Sequence, residues 1–131
     1  MEIRYISVTG FDVIPYIGKF AMDKKVISEL TYPITTTDKN KWFIALDKED
    51  VVGFCSAIIK KDYISFNHAY VLPEYRNKGI YTQLFSNRLN DCKGLLKSVC
   101  SNMSKNIFIK NKFIVTKVTK NYTFVELNHI I

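Results

Sequence analysis

Residues 71–81 read VLPEYRNKGIY and set a proline, two cations and a glycine between two apolar runs. An extended run ends at Pro73, Arg76 and Lys78 follow, and Gly79 precedes an apolar period that opens at Ile80. A helix starting near Gly79 has unpaired backbone N–H groups in its first turn and the positive end of its dipole there, so the spot attracts anions. Arg76 and Lys78 add two full charges, and Gly79 lets the backbone approach a ligand because no Cβ intervenes. As bare chemistry this is a pyrophosphate cradle; an ordinary basic helix start is the plainer alternative. Neither a G-x-x-x-x-G-K-[ST] loop nor a G-x-G-x-x-G fingerprint is present.

The elements that must hold this turn follow from periodicity. Residues 2–8 alternate as a first strand. From Phe11 to Leu30 apolar residues fall three and four apart, the mark of one kinked amphipathic helix or two, with Pro15 near the start and Gly18 weakening it. TYPITTTDKNK reads as a loop or a short irregular helix. WFIAL and VVGFCSAII form a hairpin dense enough in apolar residues for a sheet covered on both faces, and YISFNHAYVL adds an antiparallel strand. Helical spacing returns from Gly79 to Cys92, with Ile80, Leu84, Phe85 and Leu89 on one stripe, Asn87, Arg88, Asn90 and Asp91 mostly off it, and Gly94 as the stop. A buried strand LLKSVCS, a short helix MSKNIFIKN and a hairpin of FIVTKVT with YTFVELN complete the order.

No repeat or linker divides the chain, so residues 1–131 are expected to form one α/β domain with a mixed sheet. The connection from HAYVL through the long helix to LLKSVCS has the length of a right-handed parallel crossover. That puts the quoted turn at the carboxyl end of a strand, where α/β proteins bind ligands.

A chain of 131 residues can bury roughly 68–70% of its unfolded surface and needs no staple. Cys55, Cys92 and Cys100 are an odd set without C-x-x-C spacing, inside apolar runs, which suits buried thiols in a reducing compartment. No basic leader precedes a long apolar run, and no stretch reaches the ~18 apolar residues of a membrane span, so a cytoplasmic protein without membrane association is expected. The net charge of +7, from 19 Lys+Arg against 12 Asp+Glu, would draw a polyanion, but the lysines are scattered as on a solvated surface.

With Val71, Pro73, Arg76 and Gly79 at these spacings, the chain resembles the GNAT superfamily of N-acetyltransferases, whose acetyl-CoA motif has the form V-x-P-x-x-[RQ]-x-x-G-x-[GA] followed by a helix. Tyr81 departs from the last position, and the element order from Glu2 to Asn128 is similar to the family's. The resemblance implies a single-domain, mixed and mostly antiparallel sheet flanked by helices, with a parallel pair that splays apart. It implies acetyl-CoA as cofactor, its pantetheine arm bonded to the backbone of Tyr70 and Val71 in the splay. The amides of Arg76, Asn77, Lys78, Gly79, Ile80 and Tyr81 would then hold the pyrophosphate, and the N–H near Val71 would face the thioester oxygen, a contact that needs donors but no particular side chain. Asn102 matches a position where relatives bond the cofactor arm or a water. Phe108 stands where many relatives carry a tyrosine acid, and Lys112 replaces a glycine before Phe113.

Direct transfer to an amine needs a base for the nucleophile and a proton for the leaving thiolate. Family members with a base often carry it where this chain has Ser65 and Asn67, neither of which is basic at neutral pH. His68 has a suitable pKa, but strand alternation turns it to the opposite face unless a bulge shifts the register. Tyr81, Tyr70 and Tyr122 are possible donors, so His68, Asn67 and Tyr81 are the catalytic candidates. Cys100 fits buried core better than a nucleophile. Either the enzyme works by positioning, which can supply ~7–11 kcal/mol of the barrier, or the protein binds CoA without turning it over. Tyr16, Tyr32, Trp42 and Tyr122 are expected around the acceptor, a small amine, an amino acid, a protein amine or an amine on nucleic acid. A basic nucleic-acid-binding module is the rival from another class; no metal site is expected, and the protein should be a monomer or homodimer.

Overall fold

The computed structural model describes residues 2–30, 33–102 and 104–130. These residues form a seven-stranded sheet of β1 (Ile3–Thr9), β2 (Asn40–Asp47), β3 (Asp50–Ile59), β4 (Ile64–Val71), β5 (Gly94–Ser101), β6 (Ile114–Val118) and β7 (Tyr122–His129). The spatial order is β1-β2-β3-β4-β5-β7-β6, and every neighbouring pair is antiparallel except β4 with β5. Helices α1 (Ile14–Ala21) and α2 (Lys24–Leu30) precede β2, α3 (Ile80–Asp91) connects β4 to β5, and α4 (Lys105–Lys110) precedes β6.

The apolar spacing between Phe11 and Leu30 resolves into two helices, and the break is not at Gly18, which lies inside α1. Asp23 makes the break. Its carboxylate accepts the backbone N–H of Lys25 at 2.9 Å and of Val26 at 3.4 Å, so it serves as the N-cap that restarts the helix. Both helices lie on one face of the sheet, where Val13, Ile17, Phe20, Val26 and Leu30 pack on Trp42, Ile44, Phe54 and Tyr70. On the other face Ile80 and Leu84 of α3 meet Phe43, Ala45, Val52 and Val71. Phe85, Phe108 and Phe113 continue that layer over Phe66, Leu96 and Val125. Full burial of a ring such as Phe54 or Phe85 stabilises the fold by about 1.5–3 kcal/mol.

The central strands β2 and β3 are covered on both faces, as their continuous apolar runs require. The expectation of a wholly buried strand at 95–101 is corrected: β5 alternates, with Leu96 fully buried and Val99 54% exposed, because α1 and α2 do not extend over that part of the sheet. Strand β6 is an edge strand exposed at every residue. The helix α3 ends before Gly94, Cys92 already having an extended backbone, and Gly94 opens β5 at φ 111°. Lys112 adopts φ 72° at the end of α4, the left-handed conformation that favours glycine.

Candidate active site

The turn that opens α3 is a concavity of backbone amides. A single 3-10 turn at Pro73–Tyr75 ends β4, Arg76 is extended, and Asn77 and Gly79 both take positive φ, 62° and 81°. Asparagine tolerates that region and glycine is at home there. Gly79 is the N-cap of α3, no side chain caps the helix, and an added Cβ would meet no protein atom within 4 Å. The helix therefore starts with backbone donors that face an open hollow of about 300 Å³ lined by Val71, Arg76, Asn77, Gly79, Ile80 and Tyr81.

Next to this hollow the sheet opens. Strands β4 and β5 pair only from Ile64–Leu96 to Phe66–Ser98, where the Ser98 hydroxyl also donates to the Phe66 carbonyl at 2.9 Å. Beyond that point β4 stays paired to β3, and β5 to β7. The Leu72 N–H donates to the Val52 carbonyl at 2.9 Å, so antiparallel alternation turns the N–H and C=O of Val71 away from β3 and into the gap. A second cleft of about 280 Å³ lies along the end of β4, lined by Glu29, Ala69, Tyr70, Val71, Tyr81 and Ser104 among others. Val71, Arg76 and Tyr81 border both spaces. Burial pushes the Tyr81 phenol above its usual pKa, against the pull of the Arg88 charge, so its hydroxyl stays protonated at neutral pH.

Arg76 faces this cleft in a defined way. Its Nε donates to the Val71 carbonyl at 2.8 Å, its Nη2 to Glu29 Oε2 at 2.7 Å, and its guanidinium lies 5.4 Å from the centre of the Tyr70 ring. The Tyr70 hydroxyl donates to the other oxygen of Glu29 at 3.0 Å. The bonds from Arg76 and Tyr70 hold the Glu29 carboxyl below its usual pKa. Glu29 is absent from any reading of the sequence, because only the packing of α2 across the end of β4 brings it here.

The register of β4 slips by one residue between Cys55–Ala69 and Ser56–Asn67, leaving His68 as the extra residue at φ 42°. This bulge brings His68 to the α1–α2 face that alternation alone denies it. The side chain is only 4% exposed. Its Nδ1 is 2.8 Å from the Ser56 hydroxyl and its ring stacks on Trp42 at 5.0 Å. Burial pushes its pKa down to about 4, despite a backbone bond at Pro33, with the Arg88 charge acting in the same direction as burial. Here His68 is a neutral imidazole packed in the core, and Asn67 is likewise engaged, its Oδ1 accepting the Ser65 hydroxyl at 2.5 Å.

The depressed value has a consequence for stability. Above about pH 6.5 both folded and unfolded His68 are neutral and stability does not respond to it. As pH falls towards 4 the unfolded chain takes a proton that the folded one refuses, and stability drops by about 3 kcal/mol over that interval. Urea melts at pH 7 and pH 4.5 should therefore differ by about 2 kcal/mol less for His68→Gln than for the wild type. Equal differences in the two proteins would refute a buried neutral imidazole.

Arg88 caps the bulge from beneath. It is 1% exposed, and its Nη1 donates to the Ser56 carbonyl at 3.0 Å and the Asn67 carbonyl at 3.1 Å, the groups beside the register slip. Its guanidinium lies 4.1 Å from the Phe66 ring centre and 5.3 Å from that of Phe85. The sequence reading put Arg88 mostly off the apolar stripe; the structure corrects this. Spacing held the signal, since Ile80, Leu84 and Arg88 stand four apart.

Other candidates are committed elsewhere. Asn102 donates through Nδ2 to the Thr119 and Lys120 carbonyls, at 3.2 and 3.0 Å, and accepts the Thr123 hydroxyl at 2.6 Å, so it pins the β6–β7 turn. Phe108 packs in the core, 5.1 Å from Phe85 and 5.2 Å from Phe113, rather than facing the cleft. Trp42 is fully buried and donates to the Thr36 hydroxyl at 2.9 Å, so it does not line an acceptor wall. Tyr16 packs half-buried on the α1–α2 core, Tyr122 is exposed, and Tyr32 lies outside the described residues. Burial raises the Cys100 thiol, which suits a core residue.

A family model described as an acetyltransferase (GNAT) domain matches residues 38–115, more than half of the chain. No curated protein matches in sequence at a significant level. Among solved structures, Escherichia coli ElaA is similar with a TM-score of 0.75 at 13% identity, over 95% of this chain and 99% of that one. The ribosomal-protein-S18-alanine N-acetyltransferase of Escherichia coli gives 0.75 at 10% identity, over 99% and 96%. The PaiA N-acetyltransferase of Thermoplasma acidophilum, solved in complex with coenzyme A, gives 0.71 at 13% identity, over 98% and 100%. At such identities the likeness is one of fold, whereas the family model rests on the sequence itself: the chain belongs to the GNAT acetyltransferase family.

Proposed function

We propose that the protein moves an acetyl group from acetyl-CoA to an amine by direct transfer. The observation that carries this reading is the adjacency of two spaces at the end of β4, where it parts from β5: the cleft there and the hollow at the amino end of α3 share Val71, Arg76 and Tyr81 in their walls. A CoA thioester fits these residues. The backbone donors from Asn77 to Tyr81 would hold the diphosphate, with Lys78 exposed beside them, and the inward-turned edge of β4 at Val71 would pair with the amide-bearing arm. When bound, acetyl-CoA supplies the activated acetyl group.

The chain's own residues then have separable tasks. The N–H of Val71 offers a fixed donor to oxygen charge developing in the gap. Tyr81 lines the cleft, and its hydroxyl, buried beside Arg88, holds a proton through neutral pH, so Tyr81 is the candidate donor to the leaving thiolate. His68 and Asn67 contribute through the bulge that shapes this strand. Rate enhancement comes chiefly from positioning, and the amine must arrive in its neutral form.

Calorimetry with acetyl-CoA, followed by release of free thiol in the presence of a panel of amines, tests the reading. Saturable heat and amine-dependent thiol release are expected. Salt-sensitive binding of a short oligonucleotide with no response to acetyl-CoA would overturn it in favour of a nucleic-acid-binding module.

A further inference from the structure

Among the described residues that line the cleft at the end of β4, Glu29 is the one carboxylate and Arg76 the one cation. The two are bonded, and the same guanidinium also bonds the Val71 carbonyl. Glu29 is thus one guanidinium's breadth from the backbone edge assigned above to the cofactor. Glu29, near the end of α2, is exposed and shares the cleft wall with Ser104.

Arg76 also borders the hollow at the start of α3. A diphosphate seated there competes with Glu29 for the guanidinium, by charge and by the forked geometry that suits both oxyanions. Only Nε and one Nη2 hydrogen are committed to Val71 and Glu29, so a phosphate shares the guanidinium; sharing its charge weakens the hold on Glu29 and leaves that carboxylate able to take a second cation at the mouth of the cleft. The reacting nitrogen cannot be that cation. Pairing with a carboxylate would hold its proton and remove the lone pair that attacks.

We infer that Glu29 is a specificity-determining residue that binds a second cationic group of the acceptor, so that the substrate class is a diamine, a polyamine or a peptide with a basic side chain near its reacting amine. Tyr70 fixes the carboxylate by its hydroxyl bond and leaves the orientation of Glu29 unchanged when Arg76 turns to phosphate. This assignment rests on the acetyl-CoA reading of the cleft.

The test is calorimetric and needs no turnover. Wild type and Glu29→Gln are titrated first with CoA, then, with CoA saturating, with 1,4-diaminobutane and with n-butylamine. Glu29→Gln should bind CoA at least as tightly as wild type, because the diphosphate contacts are left in place and Arg76 no longer shares its charge with a carboxylate. Wild type should bind the dication about tenfold more tightly than the monocation, the worth of one charge-assisted contact, and Glu29→Gln should show no preference. Normal CoA binding with equal affinities for the two amines in wild type, or with the preference retained in Glu29→Gln, overturns the inference and leaves the acyltransferase reading standing. No heat from CoA with either protein overturns both.

Discussion

Gly79→Val should weaken acetyl-CoA binding by at least about 100-fold, which corresponds to about 2.7 kcal/mol. Two effects act at once. Valine at φ 81° is strained by about 1–2 kcal/mol, and its side chain projects into the hollow where the α3 amides converge. Gly79→Asn separates them, because asparagine tolerates the left-handed region while still adding bulk. An added Cβ meets no protein atom within 4 Å, so Gly79→Asn should melt within a few degrees of wild type. It should nevertheless lose most of its affinity in calorimetry. Undiminished binding by a folded Gly79→Asn would mean that the diphosphate does not sit on this turn.

The contrast between what could and could not be foreseen follows the range of the interactions. The α3 turn is local: Pro73, Arg76 and Gly79 lie within seven residues, and steric rules acting on neighbours predict both the end of a strand and the start of a helix. The splay of β4 from β5 was legible through the family motif, since residues 71–79 match it. The bulge at His68 was not, because no glycine or proline marks it and the slip appears only when β3 and β4 are laid side by side. Glu29 was invisible for the same reason. It is 41 residues from Tyr70, to which it bonds, and 47 from Arg76. Trp42 was misplaced at the acceptor wall because indole is a good ligand surface, whereas here Thr36 satisfies its N–H and allows full burial. Exposure of β6 depends on its place at the sheet edge, which no local pattern encodes.

Arg88→Met should lower stability by about 2–4 kcal/mol, visible as a drop of roughly 6–15 °C in Tm. Methionine fills the space between Phe66 and Phe85 but has no donor. The carbonyls of Ser56 and Asn67, which flank the register slip, would then lose the donor that Arg88 gives to both, at about 1–3 kcal/mol for each bond left unreplaced. Loss of the contact with the two rings adds to the cost. One term opposes it: Arg88 Nε has no hydrogen-bond partner among the described residues, and removing a buried cation recovers its hydration penalty. The lost bonds outweigh it if the backbone holds both carbonyls in place, and a rearranged bulge is the way the strand itself could replace them. A rearranged bulge would turn His68 out of the core and shift the strand edge at Tyr70 and Val71, so acetyl-CoA affinity should fall together with Tm. A variant that melts within about 2 °C of wild type and binds normally would show that water or a small shift can replace Arg88 beneath the bulge.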